Sequence, residues 1–217
     1  MKNRYDLIIF DWDGTLIDSI EWITHCLQNA GAVLGLAIPE RQAAKDVIGL
    51  SIHKAMDTLF PTASASQHEH LVRLYSEEYF SKQLSQSDLF EGVYEMLEQL
   101  KSAGYLLAVA TGKTRVGLNQ ALLATATEHF FCATRCADET ASKPDPLMLN
   151  QLIQQANVLK ERTLMVGDSI HDLQMANNAD ISCLGVSCGA HSEACLQAYQ
   201  PIHCLKHTTE ILPLILG

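Results

Sequence analysis

The segment Leu7-Ile8-Ile9-Phe10-Asp11-Trp12-Asp13-Gly14-Thr15-Leu16-Ile17-Asp18-Ser19 begins apolar and turns acidic, and the fold class follows from that switch. Its first four residues form an unbroken apolar run with two β-branched isoleucines. A short run without alternation suits a strand covered on both faces, as in a parallel sheet. Asp11 and Asp13 follow where that strand would end. Open α/β sheets hold their ligands in the crevice beyond the carboxyl ends of the strands. Gly14 lets the backbone leave the strand in a conformation that a side chain resists. A strand that delivers two acids into a crevice is the expectation.

Downstream the pattern becomes helical. Ile20, Ile23, Leu27, Ala30 and Leu34 recur on one helix face. Asp18 or Ser19 is placed to cap that helix, and Asp18 with Glu21 has the form of a capping box. Further helices are predicted over about 40–47, 52–59 and 67–81, with breaks at Pro39, Gly49 and Pro61. No strand-like run lies between Thr15 and Leu84. Polar residues 83–88 read as a returning linker. Helix and strand then alternate: helices near 93–103, 116–123, 146–156 and 172–178, and strands near 105–110, 130–135, 163–166, 181–186 and 202–205. A closing helix starts at about Thr209. Asp145 stands as a cap before Pro146, the expected first helical residue. This alternation predicts an α/β protein with a doubly wound parallel sheet, of the Rossmann-like kind. The core is residues 1–15 and 86–217, and residues 16–85 form an inserted all-helical cap placed to act as a lid.

Composition narrows the function. Of 217 residues, 47% are hydrophobic, enough for a substantial core. Fifteen Lys and Arg against 25 Asp and Glu give a formal charge of −10. That balance argues against a nucleic-acid partner, where phosphate contacts need cations. It leaves room for small phosphorylated molecules, because a magnesium ion and a few local cations can reverse the field. The seven cysteines are odd in number and fit no zinc spacing. Cys132 and Cys136, the closest approach to a ligand pair, read as buried or half-buried thiols, as suits a reducing compartment. The apolar runs are too short for a signal peptide or a membrane span. The expectation is a soluble cytoplasmic protein with no membrane partner, a monomer in preference to a homodimer.

Three predicted strands end in polar groups. The first ends in Asp11 and Asp13, the second in Thr111-Gly112-Lys113, and a later one in Gly167-Asp168-Ser169, with Asp172 four residues past Asp168. Lys143 precedes the helix that starts near Pro146. Parallel neighbours would bring these groups to one sheet edge. Several carboxylates suit a hard cation such as magnesium. A carboxylate can attack phosphorus, a second can move protons, and a lysine, a hydroxyl and backbone N–H groups can hold phosphoryl oxygens.

Taken in order along the whole chain, these motifs resemble the haloacid dehalogenase superfamily, in its phosphatase branch with a helical cap. Asp11-Trp12-Asp13-Gly14-Thr15 looks like the first motif, Thr111 the second, Lys143 the third and Gly167 to Asp172 the fourth. The resemblance implies Asp11 as nucleophile and Asp13 as general acid and base. It implies Mg2+ held by the Asp11 carboxylate, the Asp13 main-chain carbonyl and Asp168, with Asp172 supporting the metal or Lys143. Thr111, Gly112, Gly14 and Lys143 would hold the phosphate, and Gly49, in a cap loop facing the core, would help select substrate. The implied activity is hydrolysis of a small phosphomonoester through an aspartyl-phosphate, phosphoglycolate phosphatase-like. Two departures stand out. Trp12 replaces a smaller apolar residue and is expected to pack under the loop. Glu91-Gly92 stands where Pro-Gly is more usual, which leaves the hinge open.

Other readings compete. A sugar phosphomutase of the β-phosphoglucomutase type or a phosphonate hydrolase could use the same core, the latter with cap lysine Lys45 or Lys54. Dehalogenation is disfavoured by Asp13. An inactive phosphate-binding regulatory module is the alternative outside enzymes. Lys113 is balanced between a phosphate neighbour and a solvated helix-start charge, and Ser51 is a weaker cap candidate. His171 is expected at the exposed rim. His68 and His70, two apart, do not share a helix face and read as cap surface.

Overall fold

Each side chain of the first strand is fully buried, and the alternation of a strand sends them into two separate cores. The computed structural model describes residues 4–217. Its strands are β1 (Leu7–Phe10), β2 (Leu106–Thr111), β3 (Ala133–Cys136), β4 (Thr163–Gly167), β5 (Ser182–Val186) and β6 (Cys204–Leu205). All neighbours pair in parallel, in the order β3-β2-β1-β4-β5-β6. The helices are α1 (Ile20–Val33), α2 (Arg41–Asp46), α3 (Ile52–Leu59), α4 (Ala65–Ser81), α5 (Val93–Ser102), α6 (Arg115–Thr125), α7 (Leu147–Ala156), α8 (Ile170–Ala179), α9 (Glu193–Gln197) and α10 (Ile211–Ile215). Ile8 and Phe10 pack with Leu97 of α5, Leu118 of α6 and Ile211 of α10. Leu7 and Ile9 pack on the opposite face with Leu149 and Leu152 of α7 and Leu173 of α8. The strand order steps outward in both directions from β1 and β4. The crevice of such a sheet opens at that reversal, beyond the carboxyl ends of β1 and β4.

The four helices α1–α4 close around a third core containing Ile23, Leu27, Met56, Phe60 and Leu71. The chain leaves the sheet at Leu16–Asp18 and returns at Asp88–Phe90, and the two passages are hydrogen-bonded. Asp18 N donates to Asp88 O at 2.9 Å and Phe90 N to Leu16 O at 3.1 Å. Ile17 and Leu89 form an isolated antiparallel bridge. Among the described residues, no helix is long and apolar enough to cross a membrane.

Several expectations are corrected. The Asp18–Glu21 box does not form: Ser19 is the N-cap of α1, makes no side-chain cap bond, and turns its hydroxyl elsewhere. The strand predicted at 130–135 starts only at Ala133. Phe130 ends a 3-10 turn, where its ring packs edge-on to Tyr94 with centroids 5.0 Å apart; a buried aromatic in a turn mimics a strand residue. Pro146 is the N-cap of α7 rather than its first residue, and Asp145 does cap, its Oδ1 accepting from Leu147 N at 2.9 Å. Helix α9 has five residues, too few to display a period. The last strand shrinks to two residues. Cys132 and Cys195 are exposed, against the buried or half-buried expectation for Cys132, while Cys136 is buried; all seven cysteines are free thiols. His68, expected on the surface, is half-buried and joins two helices, with Nε2 2.9 Å from Phe60 O and Nδ1 3.0 Å from Asp57 Oδ1.

Candidate active site

Asp11 extends β1 by one residue, its N–H donating to Val166 O at 2.9 Å. Trp12 then points back into the core, fully buried, with its ring edge-on to Phe131 at 6.4 Å. That anchor under the loop leaves Asp11 and Asp13 facing the crevice. Gly14 adopts φ +75°, and a Cβ there would lie 2.3 Å from Asp168 Oδ2. Glycine is thus required twice over, by conformation and by space. Gly189 approaches the same carboxylate from the other side, where a Cβ would come within 2.0 Å.

The charges converge on Lys143, whose side chain is wholly buried. Its Nζ lies 2.7 Å from Asp11 Oδ1 and 2.6 Å from Asp172 Oδ1. The second oxygen of Asp172 accepts from the Ser169 N–H at 3.1 Å and hydroxyl at 2.6 Å. Asp172 is thereby pinned at the start of α8 as the partner of Lys143. Asp168 accepts from Thr15 Oγ1 and from Ala190 N, both at 2.7 Å. Asp11 differs: neither of its buried oxygens accepts a well-directed hydrogen bond. Donor atoms of Asp11, Asp168 and Asp172 lie within 4.8 Å of one another. At that separation and an effective dielectric constant of about 20, each like-charged pair costs about 3 kcal/mol. Burial first, and then Asp172, push the Asp11 carboxyl well above the ordinary carboxylate range. Burial and Asp172 likewise raise Asp168 to about 7. Burial alone would lower Lys143, but Asp11 and Asp172 more than offset it and hold the ammonium above the usual lysine value.

Three carboxyl groups share one ammonium, and their full ionisation would leave two negative charges unmatched. An oxygen-only donor set with that excess and an unpartnered Asp11 oxygen fits a hard divalent cation. Buried charges left without partners are otherwise hard to account for.

A second pair sits across the crevice. Asp13 Oδ1 accepts from Ser19 Oγ at 2.7 Å, which is where the missing helix cap went. Asp13 Oδ2 lies 2.9 Å from Lys113 Nζ. Lys113 also donates to the Tyr79 hydroxyl at 2.6 Å, so α4 of the helical layer reaches the acid. The side chain of Lys113 is buried; desolvation alone would lower it, but Asp13 and Tyr79 hold the ammonium above the usual lysine value. Lys113 is therefore not a solvated helix-start charge, and it lines the cavity together with Asp11. Thr111 Oγ1 accepts from Lys113 N at 3.3 Å, and Thr111 and Gly112 line the cavity over Asp11 with Gly49.

The helical layer rests directly on these loops. A Cβ on Gly49 would stand 3.0 Å from Ser169 Oγ. Ser51 N donates to Ser142 Oγ at 2.8 Å, and Lys54 Nζ reaches Lys143 O at 3.5 Å. His171 is half-buried instead of exposed, with Nε2 2.7 Å from Asp46 O. Lys45 is paired with Glu21 at 2.8 Å and neither it nor Lys54 lines the cavity. A Cβ on Gly112 would meet Leu50 O at 2.4 Å and Gly49 O at 2.5 Å, and backbone atoms cannot swing aside. Gly112→Ala is therefore expected to lift the 47–52 loop, speeding its amide hydrogen exchange by about tenfold or more with little change in the sheet. Unaltered exchange over 47–52 would show that the loop does not sit on Gly112.

Thr15 and Ser169 stood within the quoted motifs without a role, and Ser19, Tyr79 and the Gly189-Ala190 turn were not read as parts of the site. The Ser-x-x-Asp spacing of Ser169 and Asp172 is the signal for their contact.

A family model described as haloacid dehalogenase-like hydrolase matches residues 8–186. A 5'-nucleotidase of Pseudomonas aeruginosa is 33% identical over 202 residues, 92% of this chain and 90% of that one. A pyrophosphatase PpaX of Bacillus cereus is 30% identical over 216 residues, covering 98% and 97%. Among solved structures, a haloacid dehalogenase-like family hydrolase from Streptococcus pneumoniae superposes with a TM-score of 0.82 at 25% identity, over 97% of this chain and 98% of that one.

Proposed function

The chain belongs to the haloacid dehalogenase-like hydrolase family, and on that premise we propose that it is a magnesium-dependent phosphatase acting on a small phosphomonoester. The observation that carries this reading is Asp11, a buried carboxylate with an unpartnered oxygen that opens onto the cavity beside a fixed lysine. Asp11, Asp168 and the Asp13 main-chain carbonyl would hold the cation, which when bound supplies two positive charges to the phosphoryl group and the acids around it. Asp11 attacks phosphorus in line, and the bond to the alcohol oxygen breaks. Asp13, entering the cycle protonated, gives that oxygen its proton from Oδ1 in place of its contact with Ser19, while Oδ2 stays on Lys113. The carboxylate left on Asp13 then takes a proton from water as the water oxygen attacks phosphorus. That step frees Asp11 and releases inorganic phosphate. Lys143 neutralises Asp11 and the phosphoryl oxygens, Thr111 and the N–H groups that follow β2 bind the remaining oxygens, and Asp172 keeps Lys143 in place.

Residues 16–85 are the cap in this reading, hinged where the two chain passages pair. A phosphonate hydrolase would need a cap lysine at the cavity, and the placement of Lys45 and Lys54 favours the ester over the phosphonate. The test is phosphate release from p-nitrophenyl phosphate. Turnover is expected with magnesium and loss of about a hundredfold or more after chelation. Magnesium is also expected to raise the thermal midpoint in the absence of substrate, because it binds only the folded acid cluster. Full activity in chelator, or a midpoint indifferent to magnesium, would overturn the metal assignment.

A further inference from the structure

We propose that the alcohol released by this enzyme is uncharged and largely apolar; the inference rests on the phosphatase reading above and narrows its substrate. The cavity that begins at Asp11 and Asp13 continues into the helical layer. Its far wall is built from Ile23, Leu27, Val47, Ile48, Tyr75 and Phe80. Tyr75 and Tyr79, both on the lining, stack with centroids 5.7 Å apart. Such a surface gains by covering apolar area.

The charges point the same way. Lys113 is the only cation among the described lining residues. Its ammonium is already matched by Asp13 at 2.9 Å and hydrogen-bonded to Tyr79 at 2.6 Å. The other polar groups on the wall are hydroxyls, such as Ser76, whose Oγ donates to Val72 O at 2.7 Å. Hydroxyls can meet a neutral oxygen or nitrogen but cannot neutralise a charge. A carboxylate or second phosphate on the leaving group would enter beside Asp11 and Asp13 with no free counter-ion. Burying an unpaired charge is strongly disfavoured, and a like charge nearby adds to that. A glycolate or phosphate leaving group is thereby selected against, which separates this chain from a pyrophosphatase despite the likeness reported above.

Two aryl phosphates of similar size test this, with magnesium present: 4-methylphenyl phosphate and 4-carboxyphenyl phosphate. The carboxylated phenol is the better leaving group, so chemistry alone favours it. The expected result is the reverse, with kcat/KM at least about a hundredfold higher for the methyl compound. Ser76→Lys, at a half-buried position on α4 in the wall, is expected to narrow that ratio about tenfold or more by raising kcat/KM for the carboxylate. Equal rates, or preference for the carboxylate, in the parent enzyme would overturn the uncharged leaving group and leave the phosphatase standing. A ratio unmoved by Ser76→Lys would overturn the assignment of the selectivity to this wall. Failure to hydrolyse either compound would overturn the phosphatase reading and this one with it.

Discussion

Asp11→Asn is expected to lower kcat for phosphate release by about a thousandfold or more while leaving the metal-free protein at least as stable as the parent. The loss follows because an amide offers no anionic oxygen to phosphorus and is a poor ligand for a hard cation. The stability follows from the surroundings of Asp11. Burial and the Asp172 carboxylate disfavour its charge more than Lys143 favours it, so its carboxyl titrates well above the usual range. An acid raised in this way binds its proton more tightly folded than unfolded. It therefore removes stability as pH climbs above the unfolded value near 3.8. A neutral isostere removes that cost at neutral pH, and the thermal midpoint without metal is expected to hold or rise. The increment that magnesium adds should shrink. Phosphate-release assays and thermal melts with and without magnesium read both sides. Parent-like turnover would remove Asp11 as nucleophile, and a collapsed midpoint would recast the substitution as structural damage.

Lys143→Met is expected to fail in both respects. It keeps the volume of the side chain and strips the one ammonium from among Asp11, Asp168 and Asp172. Breaking a buried ion pair by removing one partner costs about 3–5 kcal/mol. For a chain of this size that amounts to a fall of roughly 10 °C in the metal-free thermal midpoint. Turnover is expected to fall by about a hundredfold or more, because phosphoryl oxygens lose a charge fixed in place. A second substitution separates the two effects. Adding Asp172→Asn removes one stranded carboxylate and should recover part of the midpoint, a coupling that a double-mutant cycle measures. It should recover none of the activity. Activity restored along with stability would show that Lys143 serves only the fold.

What could be read from the chain, and what could not, divides along a physical line. The β1 segment announced itself because burial on both faces demands consecutive apolar residues, and helix α3 because the breaks at Gly49 and Pro61 bracket it. The acids after β1 and β4 and the hydroxyl that ends β2 were legible because a parallel sheet delivers strand ends to one edge, and the structure brings Asp11, Lys143, Asp168 and Asp172 together there. The reach of individual side chains across elements was not legible. Ser19 looked like a cap and bonds Asp13 instead; Tyr79, inside a predicted helix with nothing to mark it, holds Lys113. Such partners lie 6 and 34 residues apart in sequence, and no local period encodes either pairing. The turn at Phe130 was misread for the converse reason, since burial without a period looks the same in a strand and in a tight turn.

The paired passages at Leu16–Asp18 and Asp88–Phe90 carry a consequence for how this protein could change over time. The four intervening helices are tethered to the sheet by chain ends that meet one another, roughly 5 Å apart as in any hydrogen-bonded pair. Another module whose own ends meet could be spliced into the same doorway without moving a strand. The acid cluster of the sheet and the lining of the layer above it can thus vary separately, one piece being exchanged without displacing the other.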